Sequence, residues 1–133
     1  MRLQVKDFMA TPVKTAVLED SVEDIKTTMK EKNISAIPVV SYANDSIKVD
    51  VTIKGIVTLS DMEADNSENA TVADIMKSYS VHVVHVDSSA QAAAKMMIRH
   101  GVHHIVVMDE GDIKGMISSL DFAKLVAEYS LVE

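Results

Sequence analysis

Two short stretches of this 133-residue chain place a hydroxyl and a carboxylate where they can meet a ligand. Gly55-x-x-Thr58-x-x-Asp61 is the first, and Gly115-x-x-Ser118-x-x-Asp121 repeats it. In each, an apolar stretch runs into a hydroxyl residue and a carboxylate follows one helical turn on. Backbone N–H groups at a helix start are unpaired and carry partial positive charge, so they can hold a phosphate or a polarised oxygen. The hydroxyl adds a hydrogen bond, and the two acceptor oxygens of a carboxylate suit a ribose diol. The same residues also spell a capping box, in which hydroxyl and carboxylate each satisfy one backbone donor. Duplication does not separate the two readings, because a duplicated fold duplicates its caps.

The histidines are the second cluster of chemistry. All five lie between positions 82 and 104: His82, His85, His100, His103 and His104. Imidazole is a common ligand for zinc and nickel. The spacing argues against a metal site. His82 and His85 are three apart on an expected strand and so point to opposite faces. Gly101 interrupts the helix between His100 and the last two. There is no Cys and no HExxH pattern. His103 and His104 are instead candidates for contact with an anion, which would tighten binding as the pH falls toward about 6. No P-loop, nucleophile elbow, paired catalytic carboxylates or Gly-rich dinucleotide fingerprint is present. No catalytic residue is assigned, and the chain is expected not to be an enzyme.

The elements that must position these residues come as a repeat. Val5-Lys6-Asp7-Phe8-Met9 returns as Val72-Ala73-Asp74-Ile75-Met76, and Asn33 to Val40 returns as Gly101 to Met108. Each half reads as β-α-β-β-α behind a short helical turn. Short strands are expected over 13–17 and 81–86. A helix over 21–33 carries Val22, Ile25 and Met29 on one stripe, capped by Asp20 or Ser21. Its counterpart carries Ala90, Ala93, Ala94, Met97 and Ile98, capped by Ser88 or Ser89 and ended by Gly101. The apolar runs 36–40 and 105–108 suit strands covered on both faces. Strands over 53–57 and 113–117 follow as hairpin partners, and helices start from Thr58 and Ser118. The first hairpin has the longer loop, Ser41 to Thr52. The acidic stretch 61–68 reads as solvated, giving a first domain at 1–64, a linker at 65–71 and a second domain at 72–133. Half of the chain is too small to bury its own sheet and helices, so two copies packed about a pseudo-twofold axis are expected. The fold class is α/β, more closely α+β.

Composition narrows the function. Apolar residues make up 47% of the chain, with no Trp and nine Met, so Met, Val and Ile must fill the core. The formal charge of −7 argues against a general nucleic-acid or acidic-membrane binder. No apolar run reaches transmembrane length and no secretory leader is evident, so a soluble cytoplasmic protein is expected.

These motifs resemble those of the CBS-domain family over nearly the whole chain. The resemblance rests on Val-x-Asp-x-Met opening each half, on Ile37-Pro38-Val39-Val40, and on the two Gly-to-Asp closes. Val102 to Ser118 is especially similar to the gamma subunits of AMP-activated protein kinases. The resemblance implies a free-standing CBS pair, or Bateman module, that dimerises and senses AMP, ADP, ATP or another adenosine compound as a regulatory ligand, without a further cofactor. It implies output through the homodimer or a regulated partner protein. It also implies crossed clefts. One would use Val13, Lys14, Ile34 and Ser35 around the base, completed by Met116, Ser118 and Asp121. The other would use Val81, His82, Val102 and His103, completed by Ile56, Thr58 and Asp61. The family often places a basic pair before the second strand. His103-His104 fits that and Ser35-Ala36 does not, which favours the His103 cleft for a phosphorylated ligand. The competing expectations are a structural or oligomerisation module with degenerate clefts, and a metal or other small-molecule sensor working through the His-rich repeat.

Overall fold

The computed structural model describes residues 2–44, 49–63, 69–77 and 80–128. The chain divides into two units, Lys14–Val81 and the pair of segments Met1–Val13 and His82–Glu133. It thus crosses from one unit to the other after Val13 and returns after Val81.

In the unit Lys14–Val81, helix α1 spans Val22–Lys32. Ser21 caps it by accepting the Asp24 N–H at 3.1 Å. Glu23 and Asp24 in the first turn and Lys30 and Lys32 in the last oppose the helix dipole with the favourable sign. Asn33 ends it in the left-handed region at φ 54°, a conformation Asn tolerates. Strands β1 (Ala36–Asn44) and β2 (Val49–Thr58) pair antiparallel, with Ala36 opposite Thr58. Helices α2 (Leu59–Glu63) and α3 (Val72–Ile75) complete the unit. Its core joins Val22, Ile25 and Met29 of α1 to Ile37, Val39 and Val57 of the hairpin, and to Met62, Val72 and Met76.

In the other unit, β3 (Val83–His85) runs parallel to β4 (His104–Asp109), which pairs antiparallel with β5 (Asp112–Ser118). Helix α4 (Ala90–His100) is capped by Ser89, which accepts the Ala92 N–H at 3.0 Å, and ends at Gly101 with φ 63°. Helix α5 spans Ser119–Glu128.

The opening segment of the chain is built into this second unit. Residues Val5–Asp7 form a 3-10 turn, and Val5 is fully buried among Val84, Ala93, Met97, Ile105, Val107 and Ile117. The Val5 N–H donates to the Ser88 carbonyl at 2.8 Å, and Ala90 N–H donates to the Leu3 carbonyl at 2.8 Å. Phe8 meets Phe122 edge-to-face at 5.2 Å between ring centres. Lys6 pairs with Asp87 at 2.8 Å; the hydrogen bond and charge of each raise the Lys6 pKa and lower that of Asp87. Ala70, Val72 and Met76 play the matching part in the core of Lys14–Val81. There, the Val22 N–H donates to the Ala70 carbonyl at 3.0 Å. Each repeat's opening segment therefore closes the core of the other repeat's unit.

Four sequence expectations need correction. Residues 13–17 form no strand but one bridge, Ala16 to Val39. The reason is Pro38. In the second repeat the Val106 N–H donates to the His82 carbonyl at 3.0 Å; the matching residue, Pro38, has no N–H to give Lys14. The strand expected at 81–86 narrows to Val83–His85. The long loop expected from Ser41 to Thr52 is mostly strand, and only residues 45–48 lie outside the described residues. Val51, Thr52, Ile53 and Lys54 alternate half-buried and exposed, a period of two that polar composition masked. Finally, Ile98 leaves the buried stripe of α4 and is 82% exposed, while Ala93 and Met97 are buried.

Burying Val5 in the core of the unit that starts at His82 has a measurable consequence. Val5→Ala should destabilise the chain by about 2 kcal/mol through lost burial and an imperfectly filled cavity. Hydrogen exchange should show the faster opening in β3, β4 and β5 rather than in β1 and β2.

Candidate functional site

Each unit carries one strand-to-helix junction of the same geometry. In Lys14–Val81, β2 ends on Thr58 and α2 begins at once. The Thr58 N–H donates to Asp61 Oδ2 at 3.0 Å, and the Asp61 N–H donates to Thr58 Oγ1 at 3.3 Å. In the other unit, the Ser118 N–H donates to Asp121 Oδ2 at 2.8 Å, and the Asp121 N–H donates to Ser118 Oγ at 3.2 Å. These are reciprocal capping boxes, so the structural reading of both motifs holds. It does not exhaust them. The boxes use one carboxylate oxygen each and leave Oδ1 of Asp61 and Asp121 without a partner among the described residues. All four side chains are half-buried, which keeps them within reach of a bound molecule. Asp121 also lines a cavity of about 250 Å³ with Asp7, Phe8, Lys124, Leu125 and Glu128.

The remaining expected contacts distribute between the units. Lys14, Ile34, Ser35, Ile56 and Val81 lie in one; Val13, His82, Val102, His103, His104 and Met116 lie in the other. Within each unit the segment before the hairpin is tied to the junction. The Leu59 N–H donates to the Ser35 carbonyl at 2.9 Å, and the Ser119 N–H donates to the His103 carbonyl at 3.0 Å. Ser35 and His103 are thereby fixed beside Thr58 and Ser118, with both side chains exposed. Lys14 is exposed as well. Val13, Val81, His82, Ile34 and Val102 are half-buried, and the last two also pack against the apolar cores. Ile56 and Met116 are 6% and 8% exposed, because both sit in mid-strand. The Met116 backbone is held from the edge by Ala10 through two hydrogen bonds of 2.8 and 3.0 Å.

The histidines separate. His103 Nδ1 is 3.5 Å from Ser119 Oγ. His104 faces Ser118 in the β4–β5 register and is half-buried. Burial pushes its pKa below the ordinary 6.5, the nearby His103 adds to that, and Asp121 opposes it. A neutral His104 offers a ligand a hydrogen bond rather than charge near neutral pH. His85 Nε2 and Asp109 Oδ1 are 3.0 Å apart, and His85 Nδ1 accepts the Asp87 N–H at 3.1 Å. With Nδ1 accepting, Nε2 is the ring nitrogen that faces Asp109 as a donor. Among the described residues no group of three or more His, Asp or Glu is arranged to hold a metal ion. His82 stacks on His100, with ring centres 4.2 Å apart and planes 21° apart. Sequence reasoning missed this contact, since 18 positions and a helix separate the two rings and no local pattern marks it.

No helix among the described residues is long and apolar enough to cross a membrane. The CBS domain profile matches residues 5–63 and again 72–128. The chain is 24% identical over 123 residues to the CBS domain-containing protein YhcV of Bacillus subtilis, covering 90% of this chain and 82% of that one. It is 29% identical over 119 residues to the inosine-5'-monophosphate dehydrogenase of Korarchaeum cryptofilum, covering 89% of this chain but 23% of the enzyme. The match thus corresponds to a part of that dehydrogenase. Among solved structures, the CBS domain pair of protein MJ0100, in complex with 5'-methylthioadenosine and S-adenosyl-L-methionine, is similar with a TM-score of 0.76. It is 23% identical, and the match covers 96% of this chain and 98% of that one.

Two outcomes follow from the junctions alone. Asp61→Ala and Asp121→Ala, measured without ligand, should each cost about 1 kcal/mol in urea denaturation, the ordinary loss of a cap. The His104 environment sets a pH slope. Its folded pKa lies below its unfolded one, so the unfolded chain binds more protons in the window between them. Stability should therefore fall as the pH drops from about 7 to about 5, and His104→Gln should flatten that slope.

Proposed function

The chain belongs to the CBS domain family, and on that footing we propose that it is a regulatory module whose ligand is an adenosine compound, with AMP, ADP or ATP foremost. In this reading it performs no catalysis of its own, needs no further cofactor and works in the cytoplasm. The observation that carries it is the duplicated junction. In both repeats a hydroxyl and a carboxylate stand at a helix start, with one carboxylate oxygen left over after capping. That is the chemistry a ribose diol and a nearby phosphate require. The MJ0100 pair, which was solved with methylthioadenosine and S-adenosyl-L-methionine, supports an adenosine-type ligand.

The proposed clefts are crossed. Val13, Lys14, Ile34 and Ser35 serve the base of one ligand, with Met116, Ser118 and Asp121 completing the site. Val81, His82, Val102 and His103 serve the other, with Ile56, Thr58 and Asp61. His104 contributes a hydrogen bond at the second. Regulation requires that the ligand bind one conformation or assembly better than another. In this reading the output is a homodimer or a partner protein whose binding the ligand shifts.

A second reading has one observation in its favour. The capping boxes give both hydroxyls and one oxygen of each carboxylate a role without any ligand, as in an oligomerisation module with degenerate clefts. Calorimetry and thermal shift with AMP, ADP, ATP, S-adenosylmethionine and NADH separate the two. A ligand at about a hundred times its Kd should stabilise the fold by about 2.7 kcal/mol. Asp61→Ala and Asp121→Ala should each abolish binding at one cleft and spare the other. No response to any adenosine compound would overturn the nucleotide reading.

A further inference from the structure

The two repeats keep a constant shift of 68 positions from the bridge to the first strand of the hairpin, carrying Val22 to Ala90 and the pair Ala16–Val39 to Val84–Val107. Under that shift His82 answers to Lys14 and His100 to Lys32. One repeat thus has two imidazoles where the other has two ammonium groups, and the imidazoles are stacked with ring centres 4.2 Å apart and planes 21° apart. We infer that His100 is a positioning residue that holds the His82 ring in place for the planar heterocycle of the ligand, so that the second repeat selects for the base in a way the first does not. This rests on the nucleotide reading above.

The geometry supports this from both ends of the stack. His82 lies just ahead of β3, and its carbonyl is fixed by the Val106 N–H at 3.0 Å. His100 is the last residue of α4, whose end is set by Gly101 at φ 63°. Both rings therefore hang from anchored backbone. A lone half-exposed imidazole samples several rotamers and must be ordered when a ligand arrives, which subtracts from affinity. A neighbouring ring in face contact removes most of that freedom in advance. Lys14 and Lys32 cannot do the same: both are exposed, neither has a π face, and two ammonium groups repel. Pro38, in place of Val106, also withholds the hydrogen bond that fixes this part of the backbone.

The test is an AMP titration of the whole chain followed at the His82 imidazole resonances by NMR, which report that ring's own surroundings. His100→Ala and His100→Phe are compared with the unaltered chain. Since His100 is exposed, the thermal midpoint without ligand should stay the same in both variants. His100→Ala should shift the His82 resonances before any ligand is added and weaken AMP at that ring about three- to tenfold, the cost of ordering one side chain on binding. His100→Phe should restore most of the affinity. Unchanged affinity in His100→Ala, no rescue by Phe, or AMP binding that leaves the His82 resonances still would each overturn the inference while the nucleotide reading stands. An unaltered chain that binds none of the adenosine compounds would overturn both.

Discussion

The burial of Val5 and Val72 is the constraint on which the rest of the structure depends. Each unit has a hairpin, its helices and a core too small to be closed by its own sequence repeat. Val5, from the start of the chain, is buried beneath β4 and β5, and Val72, from the start of the second repeat, is buried beneath β1 and β2. Each is followed by a residue that locks its turn: Asp7 accepts the Gln4 N–H at 2.8 Å and Asp74 accepts the Thr71 N–H at 2.8 Å. The Val-x-Asp pattern is thus a core residue together with the cap that orients it. Because the segments are exchanged, neither repeat can finish folding without a piece of the other. The crossings fall between Val13 and Lys14 and between Val81 and His82, beside residues proposed to meet the ligand.

The strand-to-helix junctions show how a helix cap can leave an acceptor for the ligand proposed above. A helix start needs acceptors for its free N–H groups, and a ligand with a diol needs an acceptor as well. Asp61 and Asp121 meet the first need with Oδ2, which leaves the other oxygen. The cap also fixes the carboxylate in space before any ligand arrives. Of the cap and the ligand contact that the sequence posed as alternatives, the structure shows the cap, and the leftover oxygen is what the proposed ligand contact would use.

The repeats have diverged at one buried strand position and at positions outside the core. Pro38 against Val106 changes one hydrogen bond, and with it β3 has no full counterpart in the first repeat. Lys14 and Lys32 against His82 and His100 change a charged pair into a stacked one. The cores, by contrast, match closely: Val39 and Val107, Met29 and Met97, Ile37 and Ile105 are all buried. Packing tolerates little change in volume, whereas exposed positions can drift toward different ligands.

The sequence alone determined whatever rests on local period and local hydrogen bonding. The duplication, the helix-strand-strand-helix order common to both halves, the caps at Ser21 and Ser89 to within one residue and the stop at Gly101 were legible because each rests on residue pattern close in the chain. The missed strand ends and the outward Ile98 show the limit of period counting, since polar composition hid the alternation in β2 and an apolar stripe does not say where the core stops. The tertiary structure decided what depends on residues far apart in the chain: that Val5 belongs with Val84 and Ile117, that Pro38 deprives Lys14 of a strand, that burial drives His104 toward its neutral form, and that His100 lies against His82. The Thr58–Asp61 and Ser118–Asp121 pairs belong to both accounts. Their spacing announced the caps, but only the fold showed which carboxylate oxygen the cap consumes and which it leaves.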